Sequence, residues 1–311
     1  MEKANADAKW SAHATTYSSV FGPMSQFWAA DALQIAHRDI REKIEHNAKS
    51  SVPFHFLDVC CGPGVLSFEF ARRYLHTKTD IRITASDWSD VMLQQVTNAL
   101  EDDAALRPFR AAITPLQADG TKLDSIPTAS VDAVGSTFGI SAIGNRTSAW
   151  AAAHRVLKDD GLLVITTWGA KSSHLIWFDK LTDMFNAAGG DGEPLPLPSL
   201  TAASKCERVL KELQAAGFRQ AKSYCTAHTV VFDDLKALAQ ATADIPYVTE
   251  FLKRLTKEQI EATLMNLIEE DSRKNTYSEE GSAATTTSGD VVVDACPTLI
   301  PFTAFTIVAR K

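Results

Sequence analysis

Along the chain, short apolar runs alternate with segments whose apolar residues recur every three or four positions. Phe27, Leu33, Ala36, Ile40 and Ile44 have helical spacing, which predicts a helix from Ser25, placed as its cap, to about Ala48. A strand over Phe54–Cys60 follows, then a helix from Gly64, a strand over Ile81–Ser86 and a helix over Asp90–Leu100. The rhythm continues with strands at Ile113–Gln117 and Val131–Phe138, a helix at Thr147–Leu157, a turn at Gly161 and a strand at Leu162–Trp168. Apolar strands joined by amphipathic helices are the pattern of βαβ units and a parallel sheet.

Beyond Trp168 the order changes. A Gly/Pro-rich stretch, GGDGEPLPLPS, precedes a helix predicted at Thr201–Ala216, which Gly217 stops, and a strand follows near Phe218–Phe232. Two further helices are predicted. The second opens with Thr256 and Gln259 in capping-box spacing, with Leu255 as a staple. Residues Thr276–Asp290 are small, polar and aperiodic, which predicts a mobile surface loop, and Phe302–Ala309 suits a terminal strand. The chain thus reads as a helical arm over residues 1–50 and one α/β domain over 51–311, with insertions near 170–200 and 233–295.

Charge narrows the partners. The formal net charge is −7 and no basic block occurs, which argues against a nucleic-acid partner and favours a neutral or cationic small substrate. Five cysteines, Cys60, Cys61, Cys206, Cys225 and Cys296, match neither zinc spacing nor a disulfide framework. They are read as reduced thiols, and no metal is expected. The polar N-terminus and the lack of a run of about 20 apolar residues predict a cytoplasmic protein that neither crosses nor binds a membrane.

Candidate chemistry concentrates at the ends of the strands. Leu57-Asp58-Val59-Cys60-Cys61-Gly62-Pro63-Gly64 places a glycine turn after the first strand, where doubly wound sheets bind ligands. A dinucleotide-binding dehydrogenase is the obvious competitor. Against it, Ser67 stands where the third fingerprint glycine would be, and Asp58 would repel a pyrophosphate but suit a ligand with an ammonium and a sulfonium. Asp87, ending the second strand, has the acceptors for both hydroxyls of a ribose. Asp119, before Gly120, has an acceptor for the exocyclic amine of adenine.

These segments resemble motif I and the following motifs of class I S-adenosylmethionine-dependent methyltransferases. The run VDAVGSTFGI and the order Arg155-Val156-Leu157-Lys158, turn, Gly161, strand are similar to small-molecule enzymes related to those of quinone biosynthesis. The resemblance covers about Tyr17 to Trp168, and the chain ends in a family-like Ala309-Arg310-Lys311. It departs at Cys60, where the family commonly has glycine, so the backbone there is expected to tolerate a Cβ.

The resemblance implies a Rossmann-like, doubly wound, seven-stranded sheet, mostly parallel with its last strand antiparallel, with the arm and the insertions as a lid. It implies S-adenosylmethionine as cofactor, held by Tyr17, Asp58, Cys60, Gly62, Pro63, Gly64, Asp87, Trp88, Met92, Asp119, Gly120, Thr137 and Phe138. Trp10 and His13 share the arm with Tyr17. Past the fifth strand, His174 is the candidate proton acceptor, and Trp168, Trp177 and Phe178 the candidate substrate wall.

The expected reaction is in-line transfer of the methyl to an oxygen, nitrogen or carbon nucleophile of a small molecule, by a monomer or a homodimer. The alternatives are a cyclase or binding module that keeps the cofactor pocket, and a protein or nucleic-acid methyltransferase. The latter is disfavoured because Ser136-Thr137-Phe138-Gly139 replaces the Asn/Asp-Pro-Pro-Tyr/Phe motif of many amino-nitrogen methyltransferases.

Overall fold

The computed structural model describes residues 2–77, 80–190, 193–203, 205–245, 248–275 and 298–311. The loop expected at Thr276–Asp290 lies outside the described residues, as do the side chains of Trp10 and His13. The chain opens with α1 (Glu2–Ile35) and α2 (His37–Lys49). Next come β1 (Phe54–Val59), α3 (Val65–Tyr74), β2 (Ile81–Asp87), α4 (Asp90–Asp102), β3 (Ile113–Gln117), β4 (Val131–Ser136), α5 (Arg146–Val156) and β5 (Leu157–Trp168). After these follow α6 (Ser173–Ala187), α7 (Pro198–Ala203), α8 (Lys205–Ala215), β6 (Arg219–Phe232), α9 (Leu235–Ala243), α10 (Lys257–Asn275) and β7 (Thr298–Arg310).

The seven strands form one sheet in the order β3-β2-β1-β4-β5-β7-β6. Pairings β1 with β2, β1 with β4, β2 with β3 and β4 with β5 are parallel, and the terminal β7 runs antiparallel to β5. Strand order reverses between β1 and β4, so the carboxyl ends of these two strands open the crevice that such sheets use for ligands. The chain folds as two compact units: Met1–Gly169 with Ala202–Thr226 and Ala304–Lys311, and Ala170–Thr201 with Ala227–Thr303.

In the first unit, side-chain alternation along β1 feeds two cores. Phe54 and Phe56 point to one face, where Phe56 stacks on Phe70 of α3 at 4.0 Å beside Leu33, Ile40, Ile44 and Val96. Leu57 and Val59 point to the other, against Trp150 and Val156 of α5 and Val209 and Leu213 of α8. A central parallel strand buried on both faces needs this near-continuous apolar run. Helix α8 ends as its sequence predicts. Gly217 adopts φ +96°, and the amides of Gly217 and Phe218 bond back to the Gln214 and Leu213 carbonyls.

The arm differs from expectation. Helix α1 begins far upstream of Ser25, because Ala14, Phe21, Met24 and Trp28 continue its buried stripe through Gly22-Pro23. Proline lacks only one amide, and packing of this stripe compensates for it. Ser25 is therefore not a cap: its hydroxyl donates to the Gly22 carbonyl at 2.8 Å within the helix.

Arg155 explains one conspicuous sequence element. From the end of α5 its guanidinium donates to the carbonyls of Lys122, Leu123 and Ile126 and to Thr128 Oγ1, at 2.8 to 3.2 Å. It thereby fixes the segment between β3 and β4 that begins at Asp119. Lysine has no planar fork to reach these acceptors. Arg155→Ala is expected to cost about 2–4 kcal/mol, since it strands carbonyls that had charge-assisted donors, and Arg155→Lys to recover less than half. Urea unfolding of the three proteins checks this.

In the second unit, Trp177 of α6 is buried and its indole N–H donates to Asp271 Oδ2 of α10 at 2.7 Å. The capping box forms as the sequence predicts: Thr256 N–H to Gln259 Oε1 at 2.9 Å and Gln259 N–H to Thr256 Oγ1 at 3.2 Å, with Leu255 and Ile260 buried.

Candidate functional site

The turn after β1 carries three residues in the left-handed region: Cys60 (φ +56°), Gly62 (φ +52°) and Gly64 (φ +88°). It is tied to β2 by Cys61 N–H to the Ser86 carbonyl and by Ser86 Oγ to the Asp58 carbonyl, both 2.9 Å. The backbone at Cys60 has kept the conformation that suits glycine, although the residue has a Cβ. Left-handed geometry costs a non-glycine residue about 1–2 kcal/mol. Room for that Cβ comes from Gly139, where an added Cβ would lie 2.4 Å from Cys60 Cβ. A Cβ on Gly64 would instead meet Phe68 and Val96 at 3.0 Å, so Gly64 serves the close packing of α3 on α4.

Around this turn lies a cavity of about 400 Å³ within the first unit. Of the sequence candidates, Tyr17, Asp58, Cys60, Gly62, Pro63, Asp87, Trp88, Met92, Asp119, Gly120, Thr137 and Phe138 line it, and Gly64 does not. Sequence reasoning missed Ser25, Leu66, Ser89, Thr121, Gly139 and Ile143, among others. Ser89 was legible as the cap of α4, whose hydroxyl accepts from Met92 N–H, and Thr121 as the partner of Asp119. Ile143 has no local signal. Trp168 stacks on the lining residue Phe138 at 3.7 Å, 5° from parallel, and Trp28 packs edge-on to both rings.

His174, Trp177 and Phe178 all fall on α6, in the second unit, and none is among the cavity's lining residues. The His174 ring packs 5.8 Å from Phe178, edge to face, and 5.7 Å from Phe302. Trp177 and Phe178 are buried in that unit's core.

The three carboxylates are held differently. Asp87 Oδ2 accepts Gly62 N–H and Oδ1 accepts Ser89 N–H, both at 2.9 Å, which locks the carboxylate at the end of β2. Asp119 Oδ1 accepts the Thr121 amide and hydroxyl at 2.9 and 2.6 Å. Asp58 is fully buried. Its Oδ2 accepts Ser67 N–H at 3.0 Å and Ser67 Oγ–H at 2.8 Å, and its Oδ1 has no hydrogen-bond partner among the described residues. Burial therefore pushes the Asp58 carboxyl up to about 7, opposed by the Ser67 bonds and assisted by the Asp87 charge. Burial, aided by Asp87, likewise pushes the Tyr17 phenol up to about 12, so it is a neutral hydroxyl at neutral pH. Burial holds the Cys60 and Cys61 thiols well above their ordinary range, which makes them packing groups and not nucleophiles.

Among the described lining residues there are three carboxylates and no Lys, Arg or His. The orphaned Asp58 oxygen, the Asp87 carboxylate locked at the end of β2 and the half-buried turn fit a cationic nucleoside with a ribose diol, which is the chemistry of S-adenosylmethionine. No group of three His, Cys, Asp or Glu side chains among the described residues is placed to hold a metal ion. No described helix is long and apolar enough to cross a membrane.

Among solved structures, the BH2331 protein of Bacillus halodurans C-125 is 19% identical, with a TM-score of 0.48 over 83% of this chain and 92% of that one. The YcgJ protein of Bacillus subtilis is 13% identical, with a TM-score of 0.47 over 87% and 98% of the two chains. The [4+2]-cyclase SpnF is 18% identical, with a TM-score of 0.44 over 83% and 74%. No protein of curated function matches by sequence. The sequence model of the ubiE/COQ5 methyltransferase family matches residues 16–184, which span β1 to β5 and every residue lining the cavity. That match covers more than half of the 311 residues, and the chain belongs to the ubiE/COQ5 methyltransferase family.

Proposed function

We propose that this S-adenosylmethionine-dependent methyltransferase transfers the methyl group to a nucleophilic oxygen, nitrogen or carbon of a neutral or cationic small molecule. The observation that carries this reading is the charge of the cavity, lined by Asp58, Asp87 and Asp119 with no cation among its described lining residues. Such a wall favours a cationic cofactor over its uncharged product, S-adenosylhomocysteine. It repels acceptors bearing carboxylate or phosphate, because burial strengthens like-charge repulsion.

The geometry supports the following roles. Asp87, locked by Gly62 and Ser89, receives the ribose hydroxyls. Trp88 and Met92 flank the adenine, and Asp119 with Gly120 holds its edge. Asp58 and the Cys60–Gly62 turn face the amino-acid end of the cofactor. Tyr17 and Ser25 cover the cavity from α1 with hydroxyls, and Thr137 Oγ1, buried and unbonded, supplies a polar contact beside Phe138. When bound, the cofactor supplies an electrophilic methyl on sulfur that the acceptor displaces in line. The residues around it align the pair and exclude water, effects worth roughly 7–11 kcal/mol in favourable systems.

Incubation with methyl-labelled S-adenosylmethionine and panels of neutral, cationic and anionic metabolites tests the reading. Labelled product and S-adenosylhomocysteine are expected from the neutral or cationic panel only. Label transferred solely to anionic acceptors overturns it, as does label that stays on a bound cofactor with every panel, the behaviour of a binding module or cyclase.

A further inference from the structure

Asp58 presents two unlike oxygens. Oδ2 is saturated by the amide and hydroxyl of Ser67 from the first turn of α3, and Oδ1 is buried in the wall of the cavity with no donor. A carboxylate that takes two donors on one oxygen has its orientation fixed, so the other oxygen cannot swing to find a partner. A proton, when present, therefore sits on Oδ1. We propose that Ser67 is a positioning residue that makes Asp58 a proton-coupled receiver for the cofactor's ammonium group, so that binding expels one proton to solvent. This inference rests on the cofactor roles assigned above.

The surroundings support the coupling. Among the described residues, the groups that act on Asp58 are acids or neutral: Ser67 of α3, Asp87 from β2 and the Cys60 and Cys61 thiols of the turn, with Asp119 beyond Cys60 and the neutral Tyr17 hydroxyl of α1 in the same cavity. No cation among the described lining residues offsets the carboxylate, so the protein by itself favours the protonated form below neutral pH. An ammonium docking against Oδ1 reverses that preference. The O–H bond of the carboxyl breaks, its proton leaves to buffer, and an N–H···O⁻ bond takes its place. Position 67 thus has a reason to be serine: a glycine there would keep the amide but lose the hydroxyl that holds Oδ2.

The same proton acts on the apoprotein. The folded state binds it more tightly than the unfolded chain, in which an aspartate titrates near its ordinary value of 3.8. Its contribution therefore favours folding below about pH 4 and is lost as pH rises to about 7. Cofactor binding is strengthened over that same rise.

Isothermal titration of S-adenosylmethionine into the full-length protein, in pairs of buffers with different ionisation heats, reads the proton directly. Release approaching one proton per cofactor is expected at about pH 6, falling towards zero above about pH 8, with affinity dropping up to ~tenfold per unit below pH 7. Ser67→Ala is expected to move this midpoint to higher pH while affinity at about pH 9 stays within roughly threefold of wild type; a residue that merely supported the fold would weaken binding equally at every pH. Asp58→Asn, of the same size, is expected to bind more weakly with no proton release. Proton exchange absent between pH 6 and 7.5 in a protein that binds the cofactor, or a midpoint unmoved in folded Ser67→Ala, overturns the inference. Absence of cofactor binding at any pH overturns the cofactor reading itself.

Discussion

Asp87→Ala is expected to abolish measurable S-adenosylmethionine binding while the sheet stays folded. The side chain occupies the end of β2 with each oxygen already receiving a backbone amide, Gly62 N–H on one and Ser89 N–H on the other. Two ribose hydroxyls donating to this carboxylate would each make a charge-assisted bond, worth about 1.5–3 kcal/mol. Removing both predicts a loss of roughly 10²- to 10⁴-fold in affinity. The substitution also frees Gly62 from its anchor in the turn, which adds to the loss. Asp87→Asn, which retains one acceptor and the bond to one amide, should fall between. Calorimetry gives the affinities and far-UV circular dichroism the fold. Unchanged affinity in Asp87→Ala would sink the assignment of Asp87 to the ribose.

That assignment was available before any coordinates, because it depends on local order: an acid at a strand end, a cap, then a helix. The same holds for the existence and order of strands β1 to β5, for the Gly217 stop and for the Thr256/Gln259 cap, although β5 begins at Leu157 and runs through Gly161, where a turn was expected. What escaped notice has physical reasons too. The first two-thirds of α1 carry no continuous apolar stripe of large residues, and Gly22-Pro23 reads as a break, so the alanines' helix propensity went unheeded and the buried Ala14, Phe21 and Met24 carry the helix through. His174, Trp177 and Phe178 follow β5 in sequence, which placed them at the cofactor edge. Within the second unit Trp177 gives its N–H to Asp271 of α10, a partner 94 residues away that no local pattern announces. Asp58 was read as a simple charge, whereas its environment makes it a titrating group near neutrality, a consequence of burial that composition does not show.

The cysteine at position 60 is where sequence and structure meet most sharply, and it yields the second large effect. The expectation was a backbone that tolerates a Cβ; the structure shows the glycine-like φ of +56° kept, with space opened at Gly139 on the neighbouring β4 loop. Gly139 has an ordinary φ of −71°, so its need for glycine is purely steric. A methyl there would lie 2.4 Å from Cys60 Cβ and 2.8 Å from the Cys60 carbonyl, and neither atom is the end of a flexible chain. Gly139→Ala is therefore expected to cost about 2–3 kcal/mol by overpacking and to weaken cofactor binding by displacing the turn. Cys60→Gly alone should be near neutral, since relief of about 1–2 kcal/mol of left-handed strain is offset by glycine's entropy and the lost thiol packing. Combined, the two substitutions should be less damaging than their sum by ~1–2 kcal/mol, because the Cβ–Cβ clash is gone while the contact with the carbonyl stays. Urea denaturation of the four proteins closes the cycle. Strict additivity would show that the glycine after β4 and the cysteine after β1 are not one steric unit.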